Sequence, residues 1–346
     1  MNKTSIFSRM GVLLALLATV LMSCDNSVIF DDEGDCSVHY RIRFKYDMNM
    51  KFADAFNHEV TSVALYVFDS SGVLVYQGAE SGAALADENY ALPVELKAGD
   101  YEFLAWCGIG DGDSFAVPDA QVGATTKEEL KCRMNRIASE GYGIVDKDLA
   151  PLFHGSLKAT LTDAPGVHYE TISLTKNTNV VRVILQQLSG EDVNPELFSF
   201  EIQDYNGYMD YDNSLLDDEL IVYKPWSLQT GSADINADIY NDNETRAASS
   251  VGVAVAELTT GRLVDGNRPV LVVRNLEKDE VVLSVPLIDY ALLVKGNYNK
   301  AMSNQEYLDR QDEYNMTFFL DEAGRWISSS IIVNSWRVVL NNQSMN

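Results

Sequence analysis

Alternating apolar and polar positions define the first strand-like segment of the chain. Tyr40, Ile42 and Phe44 fall on one side of an extended backbone, whereas Arg41 falls on the other. Successive side chains of a strand point to opposite faces, so a period of two is typical of a strand with one buried face. The pattern predicts a half-buried strand over residues 38–46.

Short segments of the same kind recur along the chain. The further predicted strands cover residues 63–69, 73–77, 88–96, 100–106, 171–174, 180–187, 197–202, 268–276, 280–287, 316–320 and 330–340. Gly72 lies between the first two of these, where a glycine favours a tight hairpin turn. Helical spacing occurs over the short run 127–136 and over residues 303–312, and the polar run 204–243 predicts long loops.

Many short strands, few helices and no regular strand–helix alternation favour an all-β fold made of antiparallel β-sandwiches. The length of 346 residues has room for two such domains. A polar stretch at residues 175–179 separates the two sets of strands. The sequence therefore predicts one sandwich over residues 37–176 and a second, in tandem, over residues 177–346.

The first 23 residues have the features of an export signal. Lys3 and Arg9 supply positive charge, and residues 12–22 form an apolar stretch of 11, shorter than the run of about 18 that spans a membrane. The stretch ends next to Cys24 with the spacing of bacterial lipoprotein signals, which predicts acylation of that cysteine. An ordinary secretory signal followed by a chance cysteine is the alternative. Residues 24–36 are acidic and predict a flexible tether.

Three further cysteines follow Cys24. In an oxidising compartment, Cys36, Cys107 and Cys132 predict one disulfide and one free thiol. We expect Cys107 to pair with Cys132, because that bond would tie the end of the strand at 100–106 to the short helical run. Pairing of Cys36 with either of them, or three reduced and buried thiols, remains open.

Charge and motif content argue against several classes of function. The formal net charge of −25 opposes binding to the phosphates of nucleic acid. No His-Glu-x-x-His, Cys-x-x-Cys or Gly-x-Ser-x-Gly motif occurs, so the sequence predicts no metal site, no cofactor and no enzyme activity. The glycine-rich run 108–112 leads into polar residues rather than a helix, which predicts a strand-exit loop and not a phosphate site. The isolated histidines, namely His39, His58, His154 and His168, are expected at the surface or at strand ends.

One polar segment contains closely spaced aromatic and acidic residues. Tyr205, Tyr208 and Tyr211 are predicted to form an exposed binding patch. Calcium is a weaker hypothesis, because an EF-hand loop that began at Asp210 would need a glutamate where Ile221 stands. A solvated acidic loop is therefore favoured over a calcium site.

Six segments, in order along the chain, resemble the fimbrial anchor lipoproteins of Bacteroidetes. They are YRIRFKYDMNMKFADAF at 40–56, VALYVFD at 63–69, AGDY at 98–101, LAW at 104–106, YLDRQDEY at 307–314 and IVNSW at 332–336. Together with the lipoprotein signal, the resemblance covers nearly the whole chain and is weakest over 204–262. It implies two transthyretin-like β-sandwiches in tandem and an anchoring subunit of the minor or major fimbrium. It also implies lipid attachment to the outer membrane, exposure at the cell surface and shaft pilin subunits as partners.

The resemblance also implies how such an anchor limits the fimbrium. Shaft pilins of the related type polymerise by strand exchange, in which cleavage of an N-terminal segment opens a groove for a strand from a neighbour. An anchor that keeps its N-terminal segment and its acylated Cys24 has no open groove. It is therefore expected to end the polymer.

The C-terminal stretch 330–346 is our candidate for the polymer-contacting element, because it carries alternating apolar residues. The hypothesis names as subunit-contact residues Ile331, Val333, Trp336, Val338 and Leu340. The alternative is that these residues simply complete the second sandwich. A surface glycan-binding lipoprotein is the rival function, since it would share the lipid anchor, the acidic charge and the sandwiches, and an extracellular hydrolase comes third.

Overall fold

A computed structural model describes residues 37–110, 112–235, 249–296 and 299–339 of the protein. Cys24, Cys36 and Leu340, which carry three of the sequence predictions, lie outside the described residues. Within the described ranges, no helix combines the length and the apolar character needed to cross a membrane.

Strands dominate the described residues and form five sheets. The strands are β1 Val38–Lys45, β2 Ser62–Asp69, β3 Leu74–Ser81, β4 Leu92–Val94, β5 Gly99–Cys107, β6 Phe115–Ala116, β7 Cys132–Met134, β8 Ile137–Ser139, β9 Tyr142–Val145, β10 Phe153–Leu161, β11 Gly166–Ser173, β12 Thr175–Lys176, β13 Thr178–Gln187, β14 Phe198–Asp204, β15 Tyr208–Met209, β16 Leu220–Tyr223, β17 Ser227–Ile235, β18 Ser249–Gly261, β19 Val270–Asn275, β20 Glu280–Pro286, β21 Glu313–Leu320, β22 Trp326–Val333 and β23 Trp336–Val339. The α-helices are α1 Phe56–Glu59, α2 Leu287–Leu292 and α3 Asn304–Arg310, and short 3-10 turns cover Gly82–Ala86, Lys127–Glu129 and Pro195–Leu197.

The first sandwich encloses a core between two sheets. One sheet has the strand order β11-β1-β4 and the other has the order β12-β10-β5-β2-β3. Ile42 of β1, Leu65 of β2 and Phe103 of β5 are fully buried in this core. Alternate side chains of β1 point inward, so the half-buried strand predicted from the period of two is confirmed.

Two six-stranded sheets, built mostly from the second half of the chain, surround another core. Their strand orders are β17-β18-β13-β21-β22-β23 and β20-β19-β14-β16-β9-β8. Val183 of β13, Phe200 of β14 and Phe318 of β21 are buried in it. The predicted all-β fold of sandwich type is confirmed.

The sequence analysis expected antiparallel strands, but three of the strand pairs are parallel. β1 runs parallel to β11, β13 runs parallel to β21, and β9 runs parallel to β16. Parallel neighbours need a long connection that crosses over other structure. Each of these pairs joins strands far apart along the chain, and such pairing leaves no short-range signal in the sequence.

The two halves share strands and core residues. β8 and β9 precede the predicted boundary near residue 176, yet they pair with β16 in a sheet of the second half. Trp106 of β5 and Met134 of β7 belong to the same buried cluster as Phe318 of β21. The division into residues 37–176 and 177–346 therefore stays a prediction, and this pairing crosses it.

Two local predictions were wrong. The run 127–136 is a 3-10 turn followed by β7, because Cys132 and Met134 are buried while Arg133 between them is exposed, which is the period of a strand. The predicted long loops over 204–243 contain β15, β16 and β17. His154, expected at the surface or at a strand end, is the second residue of β10 and is only 5% exposed, so the strand-end alternative describes it.

The glycine-rich run after β5 is a strand-exit loop, as predicted. Gly108 has a φ of 90°, a conformation that favours glycine. A Cβ atom at this position would lie 1.9 Å from the carbonyl oxygen of Pro151. The glycine is therefore required by close backbone packing, which accounts for it without a phosphate ligand.

Candidate subunit-contact site

The C-terminal hairpin is the part of the described structure that carries most of the predicted contact residues. β22 and β23 are joined by Asn334 and Ser335, whose φ angles of 46° and 70° are both positive. Two successive positive φ angles suit the right-handed twist of a two-residue hairpin. Oδ1 of Asn334 also accepts a hydrogen bond from the backbone N–H of Asn315 at 2.7 Å, which fixes the turn on β21.

The predicted contact residues separate into two groups. Ile331 and Val333 are fully buried and pack in the second core, so here they complete the sandwich, as the alternative interpretation held. Trp336 is 62% exposed, and Val338 is half-buried against the core. Of the proposed residues in the described range, only Trp336 and part of Val338 are accessible to another subunit.

β23 lies at the edge of its sheet. Among the described residues it pairs with β22 alone, so its outer backbone groups face away from the sheet. An exposed strand edge presents N–H and C=O groups that another chain can extend. Trp336 stands at the beginning of this edge strand.

A cleft of about 580 Å³ lies beside Trp336. Both halves of the chain line it, with Met50 from the loop after β1, Leu293 and Val294 after α2, and Tyr307 from α3. Its polar lining comes from Lys295, Asn299, Gln311, Asn334 and Arg337. The site therefore combines an exposed indole ring, an apolar floor and several amide groups.

Arg310 holds the loop that contributes Met50. Its Nη1 donates hydrogen bonds to the carbonyl oxygens of Asp47, at 2.9 Å, and Asn49, at 3.3 Å. Its guanidinium also lies 4.4 Å from the ring centre of Phe52, within the range of a cation–π contact. The end of α3 thus fixes the first-sandwich side of the cleft.

A half-buried lysine makes a second link between the halves. Nζ of Lys176 lies 2.7 Å from a carboxylate oxygen of Asp312 and 3.2 Å from one of Glu59. Burial alone would lower the pKa of Lys176, but these two carboxylates outweigh it and raise the pKa above its ordinary value. The ammonium group therefore stays charged. Its two ion pairs join β12 to α1 and to the residues that follow α3.

α3 is itself anchored in the polar interior. Arg262 forms a two-pronged pair with Asp309 of α3, with both N–O distances at 2.8 Å. It also donates to the carbonyl oxygen of Asn213 at 2.7 Å, and Asn213 exchanges side-chain hydrogen bonds with Asn177. Paired arginine and carboxylate geometry of this kind is specific as well as strong.

Sequence reasoning missed Arg310, Lys176 and Met50 as parts of this site. Each makes its contacts with residues far along the chain, so no local pattern marks it. The only available signal was indirect, because Met50 and Arg310 both lie within segments that resemble the anchor lipoproteins.

The predicted disulfide between Cys107 and Cys132 is absent. Both thiols are free and buried, and they belong to different core clusters. Cys107 points into the first sandwich, whereas Cys132 lies in the core shared with the second. Burial raises the pKa of the Cys132 thiol to about 12 and that of Cys107 still further, so both thiols remain protonated.

The tyrosine segment is only partly an exposed patch. Tyr205 is 58% exposed, but the guanidinium of Arg133 lies 4.5 Å from the ring centre of Tyr208. Tyr211 lies 5.0 Å from Nζ of Lys127, and its carbonyl oxygen is hydrogen-bonded to His154 at 2.8 Å. Two of the three rings are therefore used in packing within the chain. No cluster of three or more metal-ligating side chains occurs in the described ranges.

Several solved structures are similar over most of the chain. A putative adhesin from Bacteroides thetaiotaomicron is 33% identical, with a TM-score of 0.76, and the match covers 90% of this chain and 100% of that one. A second structure from the same species, described as putative polysaccharide binding proteins, is 32% identical, with a TM-score of 0.75. The match covers 89% of this chain and 100% of that one. The fimbrial anchor protein Mfa2 from Porphyromonas gingivalis is 17% identical, with a TM-score of 0.64 and coverage of 88% and 100%, and it shares the fold.

The search of curated proteins gave no match. A sequence model of the fimbrillin-A associated anchor proteins Mfa1 and Mfa2 matches residues 32–342. This range takes in both sandwiches, the loop that carries Met50, and the C-terminal hairpin. The resemblance found in the sequence is confirmed: the chain belongs to the family of fimbrillin-A associated anchor proteins Mfa1 and Mfa2.

Proposed function

We propose that this protein is a lipid-anchored subunit of the outer membrane that holds the fimbrial shaft at the cell surface and ends its polymerisation. The observation that carries the proposal is that β1 occupies the middle of its sheet, between β11 and β4. The membership of an anchor family supports the association with fimbrial subunits. The step beyond it is the mechanism of termination.

β1 fills the position that a strand from another subunit would need. It pairs with β11 along its whole length, from Val38 to Lys45, and with β4 at three residues. Its inward side chains, Tyr40, Ile42 and Phe44, are at most 5% exposed. In strand addition, backbone hydrogen bonds supply affinity and alternate side chains fill pockets. Both sets of interactions are already satisfied by β1.

A filled groove gives a physical reason for termination. In the related shaft pilins, as the resemblance implies, removal of the N-terminal segment opens the groove for the next subunit. A subunit that retains β1 cannot accept a strand there, so growth stops at it. Thirteen residues separate β1 from Cys24, and acyl chains on that cysteine would hold this end of the chain at the membrane.

The C-terminal hairpin supplies the proposed contact with the shaft. The open edge of β23 offers backbone groups, Trp336 offers a large apolar surface, and the neighbouring cleft can receive a side chain from a partner. Exposed aromatic anchors beside pockets are typical of the residues that dominate interface energies. Ile331 and Val333 support this surface from the core, while Val338 and Leu340 remain proposed contacts.

Fimbriae on intact cells test the anchoring role. Cells that lack the gene are expected to carry long filaments that are easily shed, and the wild-type gene should restore short, attached ones in electron micrographs. The Cys24→Ser variant should be exported but should fail to restore attachment, because it lacks the lipid. Unchanged length and attachment in the deletion would contradict the proposal.

The filled groove can be tested separately. A protease site inserted in the loop between β1 and α1 allows β1 to be cut and washed away, with the uncut protein as control. The cut protein should bind a synthetic peptide of residues 37–46 and should no longer end the growth of fimbriae. Binding of the peptide would show that the groove of the cut protein is open. If the cut protein still caps filaments when no peptide is present, the filled groove is not the cause of termination.

The contact surface calls for a matched pair of variants. Trp336→Ala should reduce capture of purified shaft subunits about tenfold or more, whereas Tyr205→Ala removes an equally exposed ring elsewhere and should have no effect. Truncation after Asn334 removes β23 altogether. If the truncated protein folds and still captures shaft subunits, the hairpin is not the contact element.

Glycan binding is a second candidate for the same cleft. An exposed indole ring next to amide side chains suits stacking on a sugar ring with hydrogen bonds to its hydroxyls. The name of one similar structure, putative polysaccharide binding proteins, agrees with this chemistry. Saturable sugar binding that is lost in Trp336→Ala, with shaft capture unchanged, would favour this candidate over the anchor.

A further inference from the structure

The outer face of the sheet β11-β1-β4 carries a row of positive side chains. Arg41, Arg43 and Lys45 alternate on the side of β1 that points away from the core, where the two arginines are exposed and the lysine is half-buried. The whole chain has a formal net charge of −25, so a row of three cations is a marked local reversal. Local fields of this kind attract partners of opposite charge.

The neighbouring outward positions are uncharged. The register sets Tyr169 of β11 and Pro93 of β4 beside Arg41, and Thr171 of β11 beside Arg43. No acidic residue occupies an outward position of these three strands. Within the three strands the cations have no acidic neighbour on this face, and the nearby acidic residues lie at the rim: Asp54, Asp87 and Glu88 line a hollow with Arg43, and Glu95 lines one with Arg41.

The two arginines are also without ionic partners in the part of the chain that the structure describes, whereas Lys45 pairs with Asp47 at 2.8 Å. The guanidinium of Arg43 lies instead 4.0 Å from the ring centre of Tyr169. Stacking on a ring leaves the N–H groups of an arginine free to bind phosphate.

Exposed apolar side chains stand beside this basic row. Val167 is 50% exposed and Tyr169 is 46% exposed, and both lie on the same outward face. Basic residues next to aromatic and aliphatic ones are typical of protein surfaces that lie on lipid headgroups. There, cations meet phosphates while the rings enter the interface.

The position of this face along the chain restricts what it can meet. Thirteen residues separate Cys24 from β1. Such a segment spans at most about 50 Å when fully extended, and about 20 Å on average as a flexible chain. Once Cys24 is in the bilayer, the basic face stays within a few tens of ångströms of the lipid surface.

We propose that this face, called here the basic face and made of Arg41, Arg43, Lys45, Val167 and Tyr169, docks on the phosphate groups of the outer-leaflet lipids. The proposal rests on the proposed lipid anchor at Cys24. Docking holds the outer face of the sheet β11-β1-β4 against the membrane. The tether also carries acidic residues, and the experiment distinguishes binding of the basic face to lipid from binding of the basic face to the tether.

The test uses the acylated full chain, purified from cells and inserted in phosphatidylcholine vesicles with or without lipid A. A fluorophore is attached at Thr171→Cys in a Cys36→Ser background, and its quenching by a spin-labelled headgroup is measured. The same fluorophore at Ser284→Cys, an exposed position of β20, serves as the reference site. Flotation with the vesicles first establishes that the protein is lipid-anchored, so failure of the anchor itself is recognised before orientation is measured.

We expect quenching at position 171 on lipid A vesicles, little on phosphatidylcholine alone, and little at position 284 on either. Arg41→Gln with Arg43→Gln should lower the ratio of docked to undocked protein about 25-fold, since each cation near an anionic surface contributes roughly fivefold. Lys158→Gln with Arg325→Gln removes the same charge elsewhere and should leave the ratio unchanged.

Three results would overturn the proposal. Equal quenching at positions 171 and 284 would mean no preferred orientation. Quenching that ignores lipid A and the arginines would mean that charge does not direct docking. Quenching that emerges only after Asp31, Asp32, Glu33 and Asp35 are neutralised to their amides would assign the basic face to the tether.

Discussion

The guanidinium of Arg310 lies 4.4 Å from the ring centre of Phe52 and thereby joins the end of α3 to the loop after β1. The same guanidinium donates to the carbonyl oxygens of Asp47 and Asn49. α3 belongs to the second half of the chain, and the loop belongs to the first. One side chain therefore fixes the mutual position of the two walls of the cleft beside Trp336.

Replacing Arg310 should lower the stability of the whole protein. Arg310→Ala removes three hydrogen bonds from a charged donor, one of them the ion pair with Glu306, and one cation–π contact. We therefore expect the free energy of unfolding to fall by about 2 to 3 kcal/mol. Urea denaturation measures it. Arg325→Ala is the control, because Arg325 is highly exposed and pairs only with Asp321, and its loss should cost less than about 0.5 kcal/mol. Equal effects of the two variants would contradict the role given to Arg310.

The two kinds of hairpin residue should separate stability from binding. Ile331→Ala opens a cavity in the core and should lower the free energy of unfolding by about 2 to 5 kcal/mol. Trp336→Ala removes an exposed ring and should change it by no more than about 0.5 kcal/mol, while it reduces capture of shaft subunits. A large loss of stability in Trp336→Ala would mean that the ring is structural.

His154 should make the protein less stable in acid. Its burial, with the nearby Arg262 charge, lowers the pKa of the imidazole from 6.5 to about 4, although the hydrogen bond to Tyr211 opposes this. Between pH 6.5 and about 4 the unfolded imidazole binds a proton that the folded one does not, so stability falls as the pH is lowered, by roughly 3 kcal/mol in all. The His154→Gln variant should be less stable than the wild type at every pH. Its free energy of unfolding, measured by denaturation, should no longer fall between pH 6.5 and about 4. An unchanged slope would contradict the prediction.

Asp204 should have the opposite effect on the pH dependence of stability, because its contribution to folding becomes more favourable as the pH falls. Burial raises the pKa of its carboxyl group to about 6, while the backbone N–H of Tyr205 only partly offsets this. Between pH 6 and 3.8 the folded carboxyl group holds a proton that the unfolded one has lost, so this group favours folding more as the pH falls. Asp204→Asn should therefore raise the free energy of unfolding at pH 7 by about 1 to 3 kcal/mol. Measured at pH 4, the gain should vanish, and a pH-independent gain would refute this account.

Gly108 allows a test of close backbone packing. Gly108→Ala adds a Cβ 1.9 Å from the carbonyl oxygen of Pro151 at a positive φ of 90°. Gly123→Ala has a similar φ of 82° but meets nothing within 4 Å. Both should cost about 1 to 2 kcal/mol for the backbone conformation, and Gly108→Ala should cost at least about 2 kcal/mol more for the clash. Equal losses in thermal or urea unfolding would show that the loop moves freely.

The sequence predicted local elements well where one face of a segment is buried. Alternation at Tyr40, Ile42 and Phe44 identified β1, and the glycine at position 72 correctly marked the β2–β3 hairpin. The helix predicted over 303–312 is α3, and the side chain of Ser303 caps it by accepting a hydrogen bond from Glu306. These features depend on a few neighbouring residues, so a local pattern is enough to reveal them.

Predictions that required knowledge of distant neighbours fared less well. The strand at Cys132 resembled a helix because its run is too short to distinguish the two periods. The pairing of Cys107 with Cys132 failed because the two thiols point into different cores, which no spacing reveals. The hypothesis that the C-terminal hairpin contacts other subunits stays a proposal. The sequence did not show that Ile331 and Val333 are buried, because their burial depends on the opposite sheet.

The sequence by itself determined the family, the all-β class and the predicted lipid address, because each is recorded in residue order, composition and short-range alternation. Only the tertiary structure decided the parallel pairing of β1 with β11, the meeting of Arg310 with the loop at Phe52, and the cleft beside Trp336. The physical reason is that these contacts join residues more than 100 positions apart. Their energies depend on the packing of two sheets against each other, and no single segment carries that information.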